Sequence, residues 1–401
     1  MEQDSTIPVP WTWSRLQSAQ IGVLTFARFC LNTSLRIVYP FAPAFSRGLG
    51  VPVTLIYSFI SLRNLLSLLS PVLAPLPERY GRRVTMTAGV VLFGLVALLA
   101  AFLPLVWTLA LVIIVTGLVK VVFDPAMQSY LGDTVPYKQR GRALAVTEFA
   151  WSGAYLIGAP VTGWLIAGWG WSTPYLWLGI GGLIAAVLLW RYVPTARNHD
   201  SHTITLSYTW QMVRRYPVIW AAALYMALTL IAQESLFIVY GDWMEGSFNL
   251  SLTSLGMATM LIGVAEMTGE ATAGWSVDRF GKRPVVMLAG LLNAGIYLLI
   301  PWVSGDLTMA LITLFFLFST FEIAVVGAIP LLTELIPGAR TAVMAMSLGA
   351  MAAGRTIGSI VGPFLWERMG ITGNAVLAAI VMMLAVLVLA RWLHEGQPEE
   401  A

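Results

Sequence analysis

The sequence predicts an all-α membrane protein of twelve transmembrane helices in two pseudo-symmetric six-helix bundles, with both termini cytoplasmic. Three observations carry that prediction. The 401-residue chain is 58% hydrophobic and only 11% charged, too little polar surface to cover a soluble globule of this size. Apolar stretches near the ~20 residues that cross a hydrocarbon core recur along its whole length. The chain also repeats itself. Pro77-Glu78-Arg79-Tyr80-Gly81-Arg82-Arg83 returns as Val277-Asp278-Arg279-Phe280-Gly281-Lys282-Arg283, and Ser34-Leu35-Arg36-Ile37-Val38-Tyr39 returns as Ser235-Leu236-Phe237-Ile238-Val239-Tyr240.

The twelve spans fall near 19–44, 52–76, 84–103, 107–132, 143–168, 174–193, 217–241, 252–275, 284–303, 307–335, 341–367 and 373–393. Helices are expected because backbone groups in lipid must be satisfied within each span, and the alternating ten-residue strands of a barrel are absent. Orientation follows from lysine and arginine in the loops. With a cytoplasmic N-terminus, one side collects Arg15, Arg79, Arg82, Arg83, Lys138, Arg140, Arg142, Arg191, Arg197, Arg214, Arg215, Arg279, Lys282, Arg283, Arg340 and Arg391. The other side has Arg47 and Arg368. The net charge of +3 therefore reports topology, and no nucleic-acid partner is expected.

The polar first eighteen residues lack the basic stretch and cleavage site of a secretory signal, so no processing is expected. Cys30 is the one cysteine, and His199, His202 and His394 fall in cytoplasmic segments, so neither a disulfide nor a Cys/His metal site is predicted. No cofactor is called for. Minimal loops point to a prokaryotic inner membrane, and the Asn249-Leu250-Ser251 sequon is set aside as a chance match. The polar interval 194–216 reads as a cytoplasmic linker between an N-terminal bundle, 1–193, and a C-terminal bundle, 217–401. A repeat of half the chain in parallel order is a mark of transporters built from two halves.

At the paired turns the residues resemble the major facilitator superfamily, and the resemblance covers essentially the whole chain. Gly274-Trp275-Ser276-Val277-Asp278-Arg279-Phe280-Gly281-Lys282-Arg283 fits the family's turn between second and third helices completely, whereas the first copy has Ala74 and Glu78 in the glycine and aspartate positions. The branch it most looks like is that of twelve-helix drug/proton antiporters, with degraded first-half motifs. Gly158-Ala159-Pro160-Val161-Thr162-Gly163 matches the antiporter Gly-Pro pattern only in part, and Ile113 stands where many relatives carry an arginine. Gly81 and Gly281 allow a tight backbone. The resemblance implies that Glu78, Arg79, Gly81, Asp278, Arg279, Gly281 and Arg283 help to lock the cytoplasmic side in one conformation, with each acid near helix ends of the opposite half.

Ionisable residues inside spans would each cost about 2.5 to 3.5 kcal/mol facing lipid, so they must face protein, water or substrate. Arg28, Asn32 and Arg36 lie at i, i+4 and i+8 on the first span, with Tyr39 continuing that face. Thr229, Gln233, Phe237 and Tyr240 hold the matching places on the seventh span, so both stripes are expected at one cavity. The resemblance implies a cavity lined by the first, fourth, seventh and tenth helices, which adds Lys120, Asp124 and Glu322. Arg28 could instead snorkel to the cytoplasmic side. Lys120 and Asp124 could neutralise each other. Arg36, Asn32, Arg28, Lys120, Asp124, Gln233, Glu322, Tyr39 and Tyr240 are the expected substrate contacts.

For proton coupling the candidates are Glu234, Glu322, Glu148 and Glu270, because buried or clustered carboxylates suit proton carriage. Glu266, one turn from Glu270, could join that cluster. Arg63 and Arg355 form a lateral pair on neighbouring second and eleventh helices, expected either to reach cavity carboxylates or to hold an anion. Glycines at 354, 358 and 362 should let the eleventh helix pack closely. The predicted function is secondary active transport of a small organic or amphipathic solute, anionic in part, by alternating access with protons, in a monomer. Rival readings are a lipid or lysolipid transporter opening between the second and eleventh helices, and a non-transporting sensor. An enzyme is not expected, since no nucleophile, histidine base or metal cluster can be assembled.

Overall fold

The computed structural model describes residues 13–73, 75–195 and 206–394; Ala74, Arg197, His199 and His202 lie outside them. Every regular element among the described residues is helical. The spans are α1, made of Arg15–Arg36 and Val38–Leu49 with a 57° bend between them; α2, Val53–Leu73; α3, Arg82–Phe102; α4, Val106–Thr134; α5, Gln139–Trp169; α6, Thr173–Tyr192; α7, Val218–Phe248; α8, Leu252–Phe280; α9, Lys282–Val303; and α10, Leu307–Glu334. Arg340–Trp392 runs as one 53-residue stretch, but Gly370 (φ 61°, ψ −159°) breaks it into α11, 340–369, and α12, 371–392. That division gives the twelve spans expected.

Several spans outrun their apolar stretches, because a helix ends where its backbone groups are capped rather than where hydropathy falls. Ser14 and Gln17 form a reciprocal capping box at the start of α1. Ser251 caps α8 and Asp306 caps α10 through backbone amides. The two basic turns match in conformation as in sequence: Gly81 sits at φ 86° and Gly281 at φ 89°, where a side chain would be strained. The interval read as a polar linker also contains a helix, Leu206–Arg215, whose Val213 is buried.

The duplicated stripes sit at duplicated helix breaks. The α1 bend falls at Ile37, and α7 loses regularity at Ile238 and Val239. Pro40 has no N–H to donate back to the Arg36 carbonyl, which instead accepts from the Tyr155 hydroxyl at 3.4 Å. In α7 the Ser235 carbonyl accepts from Asn374 Nδ2 at 2.5 Å. The glycines of α11 let it lie directly on α7: a Cβ at Gly354, Gly358 or Gly362 would meet backbone or side-chain atoms of Ala227, Glu234 or Ser235.

Candidate functional site

Where α1 and α7 break, Leu35, Arg36, Tyr39, Leu230, Gln233, Glu234 and Phe237 meet α5, α8, α10 and α11 around a cavity of about 40 Å³. That holds about three waters at ~10–15 Å³ each, so the centre is nearly shut. Two polar clamps shut it. The Arg36 guanidinium donates from Nη1 to Glu266 Oε2 at 2.9 Å and from Nη2 to the other carboxylate oxygen, a bidentate pair between the halves. The same Nη1 donates to the Trp151 carbonyl at 2.9 Å, and the cation lies 4.1 Å from the Trp151 ring and 3.6 Å from the Tyr155 ring. Both partners are buried, so the pair is protected from solvent screening.

The second clamp is built on Glu234. Its Oε1 accepts from Tyr39 Oη at 2.7 Å and from Asn64 Nδ2 at 3.1 Å, both in the first half. Arg63 supports those two donors: Nη2 donates to Tyr39 Oη at 2.7 Å and to Asn64 Oδ1 at 3.1 Å, and Nη1 to the Leu35 carbonyl at 3.0 Å. Tyr39 stacks on Phe237 at 4.9 Å between ring centroids. Arg63 was expected to reach a cavity carboxylate or to hold an anion; here it bonds no carboxylate itself, and Tyr39 and Asn64 stand between it and Glu234.

Two charged groups on the cavity wall have no such partners. Glu322 of α10 and Arg355 of α11 make no hydrogen bond or ion pair among the described residues, and both face the cavity. Glu322 is 7% exposed. Arg355 approaches the Trp151 ring at 5.9 Å. Gln233 also lines the wall, its amide oxygen held by Tyr297 Oη at 3.0 Å. Arg63 and Arg355, expected together, stand apart in role: one is bonded into the Glu234 clamp, the other is free.

The remaining stripe residues form a separate cluster nearer the cytoplasmic side. Lys120 Nζ donates to Asn32 Oδ1 and to Asp124 Oδ2, each at 2.6 Å. Arg28 reaches Asp124 at 3.2 Å, Glu148 at 2.9 Å and the Thr147 carbonyl at 2.9 Å. Arg28 therefore does not snorkel; it is only 5% exposed and is held by two carboxylates. None of these six residues lines the central cavity, because α1 turns that face toward α4 and α5 below the break. Glu270 of α8 is half-buried, with Glu266 and Glu148 as its nearest like charges. Tyr240 and Thr229, expected on the cavity, face away from it: Tyr240 lies 3.2 Å from the Thr259 hydroxyl, and Thr229 donates to the Tyr225 carbonyl.

Toward the outer side, Arg47 forms a bidentate pair with Glu245 at 2.7 and 2.8 Å, and Tyr57 Oη donates to Asp242 at 2.7 Å. Pro363 cannot bond the Ser359 carbonyl, which accepts from Ser61 Oγ at 3.0 Å and so ties α2 to α11. The seam expected to open laterally is therefore bridged here. The α5–α8 seam is backbone against backbone around Gly256 and Gly263, where a Cβ would fall 2.7 Å from the Ala159 carbonyl oxygen and 2.8 Å from the Leu156 amide nitrogen.

Toward the cytoplasm the basic turns pair within their own halves instead. Arg82 bonds Asp133 and Lys282 bonds Glu334, while Arg283 donates to the Ala390 carbonyl at 2.8 Å. Asp278 is exposed, and Glu78 is half-buried. The acids were expected beside helix ends of the opposite half; the bonds that hold Arg82, Lys282 and Arg283 run within their own halves.

Sequence reasoning missed Asn64, Trp151, Tyr155, Phe318 and Phe321 on the central site, and Tyr57, Asp242, Arg47 and Glu245 outside it. Asn64 next to Arg63 in an apolar span was a readable signal. The aromatic residues offered none, since in a membrane chain they are as common on lipid-facing surfaces.

Comparison with known proteins identifies the family and the fold. The chain is 24% identical over 308 residues to "Multidrug resistance protein 2" of Bacillus subtilis, covering 74% of this chain and 76% of that one. It is 22% identical over 385 residues to the "Multi-drug resistance efflux pump PmrA homolog" of Lactococcus lactis, covering 92% and 94%. Among solved structures, the partially occluded inward-open xylose transporter XylE from E. coli superposes with a TM-score of 0.77 at 16% identity, over 97% of this chain and all of that one. A bacterial homologue of the lysosomal transporter Spinster, inward-facing and unoccupied, superposes with a TM-score of 0.73 at 14% identity, over 95% and 96%. The model of the Major Facilitator Superfamily matches twice, over residues 24–241 and 226–401. The chain is a multi-pass membrane transporter and belongs to the major facilitator superfamily.

Proposed function

We propose that this transporter moves a small organic or amphipathic solute with an anionic group by alternating access, in exchange with protons carried on Glu322. The observation behind this reading is the unpartnered pair on the cavity wall. Arg36 is matched by Glu266, and Glu234 is held by Tyr39 and Asn64, which leaves Arg355 as the cation open to a solute anion. Trp151, Tyr155, Phe237, Phe318 and Phe321 surround it with aromatic surface suited to an amphipathic body. A partnerless carboxyl such as Glu322 can take up or release a proton as water access and nearby charge change. The multidrug names of the relatives favour an amphipathic cargo over a sugar.

In this mechanism the nearly closed cavity is the resting seal. A solute must part the Arg36–Glu266 and Glu234 clamps to enter, and the halves rock about the site as those bonds exchange. Glu78 and Asp278 with their arginines act as the matching lock when the cytoplasmic side closes.

Transport in proteoliposomes tests both parts. Arg355→Gln should lower uptake of amphipathic anions about ten- to a hundredfold, the worth of one charge-assisted hydrogen bond. Glu322→Gln should leave solute–solute exchange running while abolishing the response of transport to an imposed pH gradient. Preference for cationic over anionic solutes in the wild type would reverse the charge assignment. An undiminished pH response in Glu322→Gln would remove the proton from that residue.

A further inference from the structure

We infer that the solute of the central cavity is an amphipathic zwitterion, with its anionic group at Arg355 and a basic nitrogen at Glu322. This substrate class rests on the transport reading above and narrows it: an anionic group alone does not suffice, and the nitrogen takes the place of the exchanged proton.

The centre is balanced in charge. Arg36, Arg63 and Arg355 stand there against Glu234, Glu266 and Glu322. Arg36 and Glu266 neutralise each other directly, and Arg63 faces Glu234 through Tyr39 and Asn64. Glu322 and Arg355 are the remaining opposite charges; they line the same cavity and form no ion pair with each other. Each is fixed from its own side. A Cβ at Gly269 of α8 would fall 2.7 Å from the Glu322 Cβ, and Gly354 and Gly358, which flank Arg355, lie against α7. The cytoplasmic cluster offers no surplus charge, since Arg28 and Lys120 are met by Asp124 and Glu148. A solute with a single charge would leave the nearly closed centre with a net charge, which is costly when buried. A zwitterion leaves none.

The walls are polarised to match. On α10, Phe318 lies one turn before Glu322 and Phe321 directly before it, and Phe318 packs edge-to-face with Phe237 at 5.2 Å. An ammonium at Glu322 is therefore favoured twice, by the carboxylate and by the aromatic rings. The rings of Trp151 and Tyr155 already carry Arg36, at 4.1 and 3.6 Å, which leaves the α10 side for the positive end of the solute. Gln233 suits the negative end. Its amide oxygen is held by Tyr297 at 3.0 Å, so its N–H groups are left for a solute carboxylate.

Exchange with a proton requires the second charge. An anion bound at Arg355 raises the affinity of Glu322 for its proton, so a solute with an anionic group alone binds together with the proton. A basic nitrogen on the carboxylate excludes the proton, and one leaves as the other arrives. The other charged groups around Glu322 are Glu266 and Glu270 of α8, Arg36 of α1 and Arg355 of α11, while α9 contributes the uncharged Asn293 beside Thr320. The sign of the pH dependence follows. Zwitterion binding strengthens as pH rises through the titration of Glu322, and binding of a plain anion weakens.

Calorimetric binding to the full-length protein, purified in detergent, tests this with three matched probes. They are the zwitterion para-aminomethylphenylacetate, the anion para-tolylacetate, which lacks the nitrogen, and the cation para-methylbenzylamine, which lacks the carboxylate. The zwitterion should bind about ten- to a hundredfold more tightly than either, the worth of one charge-assisted hydrogen bond. Its affinity should rise with pH while that of para-tolylacetate falls, and both trends should vanish in Glu322→Gln. In that variant the anion should overtake the zwitterion, and in Arg355→Gln the cation should. Neither side chain makes a hydrogen bond among the described residues, so both variants should fold, and the wild-type ranking decides without them. If the anion binds the wild type as tightly as the zwitterion, or the zwitterion does not bind, the zwitterion is overturned while Arg355 can still hold an anion. Equal weakening of all three probes in both variants would also overturn it. A wild-type preference for para-methylbenzylamine would overturn the transport reading as well, because Arg355 would then receive no anion.

Discussion

The outer and cytoplasmic halves of the seam between the two bundles are built in opposite ways. Outside the centre, contact runs between the halves: glycines bring α5 and α8 to backbone distance, and Arg47–Glu245, Tyr57–Asp242 and Ser61–Ser359 join the rest. On the cytoplasmic side the strong polar bonds stay inside each half, as in Arg82–Asp133 and Lys282–Glu334. Packing that tight leaves little freedom to close gradually, so the outer seal should open as a unit. The cytoplasmic charges already have partners to exchange, and a switch can be made by trading them. The difference teaches that gating in this chain is steric on one side and electrostatic on the other.

The largest test of that contrast is at the centre, where both means meet. Glu266→Gln should cost about 3 to 5 kcal/mol of stability, because Arg36 is left as a buried unpaired cation. Thermal unfolding should show it, and Arg36→Gln added to Glu266→Gln should recover part of the loss. Strictly additive losses would mean the two groups do not depend on each other.

Next in size is a comparison of glycines along α8. Gly263→Leu should cost about 1 to 3 kcal/mol by overpacking against Leu156 and Ser152 and should admit external reagents to a cysteine placed at Thr259. Gly274→Leu, with open space around it in the cytoplasmic half, should stay within about 0.5 kcal/mol of wild type. Equal labelling in the two variants would erase the steric distinction.

The smallest effect belongs to the outer ion pair. Arg47 has 58% of its side chain exposed, so Arg47→Gln should cost below about 1 kcal/mol and should weaken the outer seal mainly at low salt. A larger loss that persists at high salt would show that the outer side relies on charge after all.

Much of this molecule is legible in its sequence because membrane insertion obeys local rules. Each span is long and apolar enough by itself, the arginines mark the cytoplasmic side, and Gly81 and Gly281 name their own backbone conformation. Charges such as Arg36, Glu234 and Glu322 stand out within apolar runs, so their removal from lipid could be deduced. Their partners could not. Arg36 and Glu266 are 230 residues apart, and whether Arg28 snorkels, binds solute or pairs with Asp124 and Glu148 depends on which faces of α1, α4 and α5 meet.

The same limit explains the division of the first stripe. Arg28, Asn32 and Arg36 share one helical face by spacing alone, yet the bend at Ile37 and the packing of α5 place Arg36 at the central cavity and the other two in a cytoplasmic cluster. Sequence by itself determined the number, direction and duplication of the helices, since those follow from local hydropathy, charge and turn chemistry. Only the tertiary structure decided which charges neutralise one another and which stay open on the cavity wall, because pairing is a property of distances between helices that lie far apart along the chain.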